Sequence, residues 1–438
     1  MKHLWLKLTK TDLEIELLQS EQEGRDVSAL RARVAALDET DPSFQAAADG
    51  LYAQFASCPR QQEYEFEEPS GWDEILATVV TSPQQLAVTG DLEDRIYGGW
   101  LGRCAGCLLG KPIEGWHRTR LHSYLKASKQ FPLNDYISIA ADQQTLQNHQ
   151  VDTEQPFKEN VNCMVEDDDI NYTVTGLGVI ERYGREFSAS DVSEFWLDSI
   201  PILRTCTAER VAYRNVMLGI APPDSATHRN PYREWIGAQI RADFWGYINP
   251  GDPMAAAEMA FRDASVSHIK NGIYGEMWAA AMVAQAFAAN DARECVTVAL
   301  KSLPPNSRLA QRINHHLKFH DDGGTVEQAV NDIHSYWNEA NPHDWCHTIS
   351  NAEVVAVGLL YGENEFEKSI CIAVDACFDT DCNGATVGSV LGAMIGSKGL
   401  PKRWTGILND TVQTGVRGFG EERISKLAAR TAMLAKKE

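Results

Sequence analysis

Two stretches of this chain carry glycine at every fourth position. In "DRIYGGWLGRCAGCLLGKPIEGW", Asp94–Trp116, these are Gly98, Gly102, Gly106 and Gly110. In "FDTDCNGATVGSVLGAMIG", Phe378–Gly396, they are Gly384, Gly388, Gly392 and Gly396. On a helix such spacing lines the glycines up in a nearly straight stripe. Each glycine costs a helix interior roughly 0.5–1 kcal/mol relative to alanine, so eight in register need a compensating contact. Two striped helices supply one by approaching backbone to backbone, with no Cβ to hold them apart. Membrane helices use this device, but Arg103 and the short apolar length argue against a membrane here. The expected use is close packing in a core, which brings helix ends together. The alternative, two unrelated helices each packing on bulky neighbours, stays open.

Acidic residues stand at the starts of helical patterns. In "VEDDDINYTVTGLGVIERYG", Glu166, Asp167, Asp168 and Asp169 precede an amphipathic run. A single Asp there caps a helix and complements its dipole. Four repel one another unless something positive lies among them. Asp379 and Asp381 alternate directly before the second glycine stripe, so in an extended segment they point to one side. A shared hard divalent cation would reconcile both clusters, and an all-oxygen donor set favours Mg²⁺, Mn²⁺ or Ca²⁺ over zinc. Solvated caps are the alternative.

At 438 residues, 44% hydrophobic and 23% charged, the chain is long enough for a large buried core. Its formal net charge of −21 disfavours nucleic acid and anionic membranes as partners. The N-terminal "MKHLWLKLTKTDLEIELL" lacks the apolar core of a secretory signal, and a cytoplasmic location is expected. Ten cysteines are too few for a disulfide scaffold, and Cys104 and Cys107 form a CxxC without a second pair. Reduced, mostly buried thiols are expected.

The organisation falls into an N-terminal helical extension, 1–88, and a body, 89–438. In the extension two charged amphipathic helices join near Asp41-Pro42, then a short helix covers Trp72–Val80; packing, a lid or oligomer contacts are the roles expected of it. In the body helical patterns dominate, among them Asp91–Leu109, Ile170–Tyr183, Gly272–Ala289, Ser350–Tyr361, Gly384–Ile395 and Glu421–Lys436. Ala140–Asn162 reads as a loop. The fold class expected is all-α.

Three segments together resemble the ADP-ribosylglycohydrolase family, in order, across about Asp91 to Gly399. The family's D-R-I-x-G-x-x-x-G-x-x-x-G helix ending in G-x-P-x-E matches Asp94–Glu114. Its T-D-D-T acidic motif matches "EDDD", and its G-D-T-D-T motif matches "DTDCNGATVGS". "DASVSHIKNGIYGEMWAAAMVAQAF", Asp263–Phe287, resembles a further helical segment of the family. The resemblance implies an all-α orthogonal helical bundle around a dinuclear metal centre of two divalent cations, Mg²⁺ first and Mn²⁺ second. By position it implies Glu166, Asp167, Asp168, Asp379, Asp381 and Cys382 as metal residues, and Glu114, Asp168 and Asp379 as catalytic ones. Glu166 and Cys382 stand where the family has threonines. The acidic run also admits a one-residue slip to Asp167, Asp168 and Asp169.

"EWIGAQIRADFWGYINPGDP", Glu234–Pro253, resembles the family's phosphate-contacting loop, although the usual G-N-G-S-A-M run is altered. Gly237, Gln239 and Arg241 would face a diphosphate, or the segment is a structural loop. His268, Tyr274 and Gly275 complete the expected substrate contacts, while His343, His347 and Asn351 read as polar packing. The reaction implied is metal-dependent hydrolysis at the ribose C1 glycosidic bond of an ADP-ribosylated substrate. Two alternatives are a ribosidase for a nucleoside-like N-glycoside and a non-catalytic ADP-ribose binder.

Overall fold

The computed structural model describes residues 5–436; the first four residues of the expected extension lie outside them. Among the described residues the protein is helical apart from one two-stranded antiparallel ribbon, Thr411–Gln413 with Glu421–Arg423. No described helix is long and apolar enough to cross a membrane.

The glycine stripes meet. The helices Leu92–Gly110 and Thr380–Ile395 cross antiparallel. A Cβ built on Gly98, Gly102 or Gly106 would run into the carbonyl oxygen of Gly392, Gly388 or Gly384 respectively. One on Gly110 would overlap the Thr380 backbone. Asp91 caps the first helix, its carboxylate accepting from the Glu93 N–H at 3.1 Å. Arg95 pins the far end of the crossing, donating to the carbonyls of Ala393 at 2.7 Å and Met394 at 2.9 Å. At the near end Thr380 Oγ1 donates to the Gly110 carbonyl at 2.9 Å. The helix Asn271–Ala286, wholly buried, and Thr348–Tyr361, buried as far as Leu360, lie beside this pair in one apolar core.

The extension differs from expectation. Three helices, Lys10–Gln22, Ser28–Ala35 and Phe44–Phe55, precede the short Trp72–Thr78. The long first helix breaks at Gly24, whose φ of +77° no β-carbon residue adopts cheaply and over which the Tyr64 ring packs. Likewise the last helix begins at Ile424 rather than Glu421, because Glu421–Arg423 pairs as a strand. The segment expected as loop, Ala140–Asn162, contains one short helix, Gln143–Asn148, capped by Asp142.

The extension has its own apolar cluster, including Leu13, Leu17, Leu30 and Phe55, and docks through buried charges. Arg233 pairs with Glu16 at 2.6 Å and Glu23 at 2.7 Å. Arg308 pairs with Glu68 at 2.9 Å and Glu234 at 2.8 Å. Burial alone would raise the Glu23 carboxyl, but Arg233 and Lys270 outweigh it and lower it from 4.5 to about 2. A depressed carboxylate stabilises the docked state above the unfolded pKa and loses that contribution as pH falls through the folded one. Docking is therefore expected to weaken between about pH 4.5 and 2, by on the order of 2–3 kcal/mol. The protection factors of Lys10–Gln22 amides, with the intrinsic pH dependence of exchange divided out, should fall over that window and stay flat from pH 5 to 8. The same fall in Glu16→Gln/Glu23→Gln protein would contradict the assignment.

Candidate functional site

Antiparallel crossing brings the C-terminal end of one glycine helix onto the N-terminal end of the other. Gly110 leads into a 3₁₀ turn, Lys111–Ile113, and then Glu114. Opposite, Asp379 is the residue before the helix Thr380–Ile395. Two side-chain-bearing residues precede it in the left-handed region, Cys377 at φ +64° and Phe378 at φ +60°. Such backbone costs about 1–2 kcal/mol per residue and is held by surrounding contacts. Asn351 Oδ1 accepts the Asp379 N–H at 3.0 Å and the Asn383 amide at 2.8 Å. A third helix start joins them: Asp167 caps Asp168–Tyr183, accepting the Asp169 N–H at 2.8 Å.

Carboxylates from the three elements converge. Glu114, Asp379 and Asp381 each offer an oxygen, all within 4.8 Å of one another. Cys107, Asp167 and Asp169 form a second such group. Lys111 Nζ lies between the groups, 2.6 Å from Asp167 Oδ2, 3.6 Å from Glu114 Oε2 and 3.8 Å from Asp381 Oδ2. Arg103, fully buried, reaches Asp169 at 3.2 Å and Asp243 at 2.7 Å.

The charges perturb one another strongly. The Asp381 carboxylate, then burial, pushes Glu114 well above the ordinary range. Its side chain is nonetheless 45% exposed, because it faces a cavity. Burial followed by Asp381 and Glu114 raises Asp379 well above its usual value. Burial and the Asp167 charge raise Asp381 and push Asp168 up to about 7. Asp167 goes the other way: burial opposes its charge, but Lys111 and its hydrogen bonds hold it below the usual range. Burial also opposes the Lys111 charge, and Asp167, Asp381 and Glu114 outweigh it.

A hard divalent cation fits the Glu114, Asp379 and Asp381 group. Asp381 Oδ1 is buried without a hydrogen-bond partner, a costly arrangement for a carboxylate oxygen. All three donors are oxygens, which suits Mg²⁺ or Mn²⁺.

These acids line the floor of a cavity of about 580 Å³. Trp235, Ile236 and Trp345 contribute apolar wall, and Trp5, Asp12 and Ile15 of the extension contribute to its lining from the opposite segment of the chain. Glu209 also lines it, pushed up to about 7 by burial against the opposing pull of Arg241. Among the described residues no lysine or arginine lines this cavity.

The remaining residues singled out in the sequence scatter. Glu166 pairs with Arg204, while Asp167 and Asp169 group with Cys107 and Asp168 lines the cavity with Asp379 and Asp381. Cys382 is fully buried, its thiol raised by burial and by the neighbouring aspartates; the sulfur grouped with the carboxylates is that of Cys107. Gly237 lines the cavity, and a Cβ there would overlap the Glu209 carboxylate. Gln239 is buried against Thr348 at 3.2 Å. Arg241 points into the protein. It pairs with Glu209 at 2.6 Å, Asp263 at 2.7 Å and Glu276 at 3.4 Å, beside the packed rings of Tyr172 and Trp196. His268 is buried beside Ser267 at 2.8 Å, its pKa depressed by burial and Arg241. Tyr274 donates to the Pro69 carbonyl and so helps seat the extension's connector, while Gly275 packs on Thr348. Lys111 and Glu209 join the site without having been expected there, and Cys107, expected only as a reduced thiol, groups with Asp167 and Asp169. Lys111 stands inside the G-K-P-I-E stretch and Cys107 in the CxxC, so each carried a signal.

The family model described as ADP-ribosylglycohydrolase matches residues 89–438. No curated protein matches the chain. A solved structure described as an "ADP-ribosylglycohydrolase-related protein complex" is similar over 79% of this chain and 98% of its own, at 18% identity and a TM-score of 0.47.

Proposed function

The chain belongs to the ADP-ribosylglycohydrolase family, and on that premise we propose that it hydrolyses the ribose C1 glycosidic bond of an ADP-ribosylated substrate with the help of a divalent cation. The observation that carries the reading is the convergence of Glu114, Asp379 and Asp381 at the floor of a walled cavity. Glu114, Asp379 and Asp381 would hold the cation, Mg²⁺ first and Mn²⁺ second by donor chemistry. When bound, it supplies charge stabilisation and a grip on sugar hydroxyls. Asp168 and Asp379 present negative charge to the oxocarbenium-like carbon of the transition state. Glu114, facing the cavity, would move a proton to or from the attacking water. Residues 89–438 form the catalytic domain in this reading. Trp5, Asp12 and Ile15 of the extension line the cavity and would limit the water around the charges inside it.

One observation favours a second reading. The donors of Arg241 are spent on Glu209, Asp263 and Glu276, and among the described residues no cationic side chain lines the wall. A diphosphate would meet acids there, whereas an uncharged or cationic nucleoside-like N-riboside would not. Assays of ADP-ribosyl-arginine, ADP-ribosyl-serine and a nucleoside panel with Mg²⁺ and Mn²⁺ separate the two. Turnover of the ADP-ribosyl conjugates is expected under the first reading. Turnover of nucleosides alone replaces it with the second, and calorimetric binding of ADP-ribose without turnover of any compound sinks both.

A further inference from the structure

We propose that the Lys111 ammonium takes the place of one of the two divalent cations of a dinuclear centre, leaving a single ion on Glu114, Asp379 and Asp381. The inference rests on the cation site proposed above. Lys111 is no free surface lysine: its side chain is 21% exposed and leaves a 3₁₀ turn directly after Gly110. Its Nζ touches Asp167 at 2.6 Å and approaches Glu114 at 3.6 Å and Asp381 at 3.8 Å. The two aspartates begin the two different acidic helices, so the ammonium bridges the motifs where a second ion would have to bridge them. An ammonium and a divalent ion cannot share that position, because like charges at such separation repel strongly in a poorly solvated setting. The group it serves is also met from behind, where Arg103 reaches Asp169 at 3.2 Å. Asp167 and Asp169 are thereby neutralised by the chain itself. Asp381 Oδ1, on the other side, keeps no hydrogen-bond partner and remains the oxygen for an external ion.

Counting bound Mn²⁺ on the full-length protein tests this, by elemental analysis and electron paramagnetic resonance. One Mn²⁺ per chain with an uncoupled spectrum is expected for the natural protein. Lys111→Met should gain a second equivalent and the spectrum of an exchange-coupled pair. Two ions in the natural protein overturn the inference, as does a single ion in both proteins; either leaves the cation site itself standing. No ion in either protein overturns both together. Should Lys111→Met fold poorly, Lys111→Gln answers the same question, and the count on the natural protein decides independently of any variant.

Discussion

Asp381→Asn abolishes cation-dependent glycosidic hydrolysis while the protein stays folded: that is the largest functional effect expected of a single substitution. Asp381 lies in the Glu114 and Asp379 group and keeps an oxygen without a hydrogen-bond partner. Removing its charge takes away a ligand for the ion and a fixed charge facing the transition state. A loss of about 10²–10³-fold or more in kcat/KM follows. Stability moves the other way. Asp381 raises Glu114 and Asp379 by repulsion, so an amide of the same shape relieves strain in the cation-free protein, by on the order of 1 kcal/mol. Asp379→Asn behaves alike. The checks are steady-state assays with Mg²⁺ and Mn²⁺ beside thermal unfolding without metal. Full activity in either variant refutes the ligand assignment, and a large drop in metal-free Tm refutes the repulsion.

Gly106→Val carries the largest structural effect. A Cβ at Gly106 meets the Gly384 carbonyl oxygen, and Gly384 meets Gly106 in return. The obstruction is backbone within a helix, which no side-chain rotation relieves. Forcing the helices apart costs about 4 kcal/mol or more and lowers Tm by on the order of 5 °C for a chain of this length. Gly50→Ala is the control. Gly50 lies mid-helix in Phe44–Phe55 with no atom near its would-be Cβ, so alanine there stabilises by about 0.5–1 kcal/mol. Equal effects at the two positions would mean that helix propensity, and not the crossing, governs both. Position along the stripe matters too. Gly98→Ala distorts the end away from the acids, whereas Gly110→Ala distorts the Thr380–Asp381 backbone itself. The second is expected to weaken Mn²⁺ binding at least tenfold more than the first, as read by calorimetry.

The crossing and the meeting of the acids were legible because both rest on short-range patterns. A four-residue glycine period fixes a stripe; the two aspartates meet although they are not the extended pair expected, because Asp379 precedes the helix Thr380–Ile395 and Asp381 lies in its first turn. What escaped depends on partners distant in sequence. Arg241 has the look of a phosphate ligand until Glu209, Asp263 and Glu276 are seen around it. The pairing of Glu166 with Arg204 could not be read from the acidic run either. The helix that brings Glu209, Thr207–Met217, starts at Cys206 with no side-chain cap, so it lacks the start signal that betrays a helix. The lining that the extension gives the cavity could not be read locally at all, because Asp12 contacts Tyr232 across 220 residues.

The central claim is that carboxylates from separate helix ends hold a divalent ion at the cavity floor. Anomalous diffraction from crystals soaked in Mn²⁺ tests it most directly. The account predicts a peak about 2.1–2.3 Å from oxygens of Glu114, Asp379 and Asp381. A saturated crystal with Mn²⁺ only at other acids, or with none at these three, contradicts it.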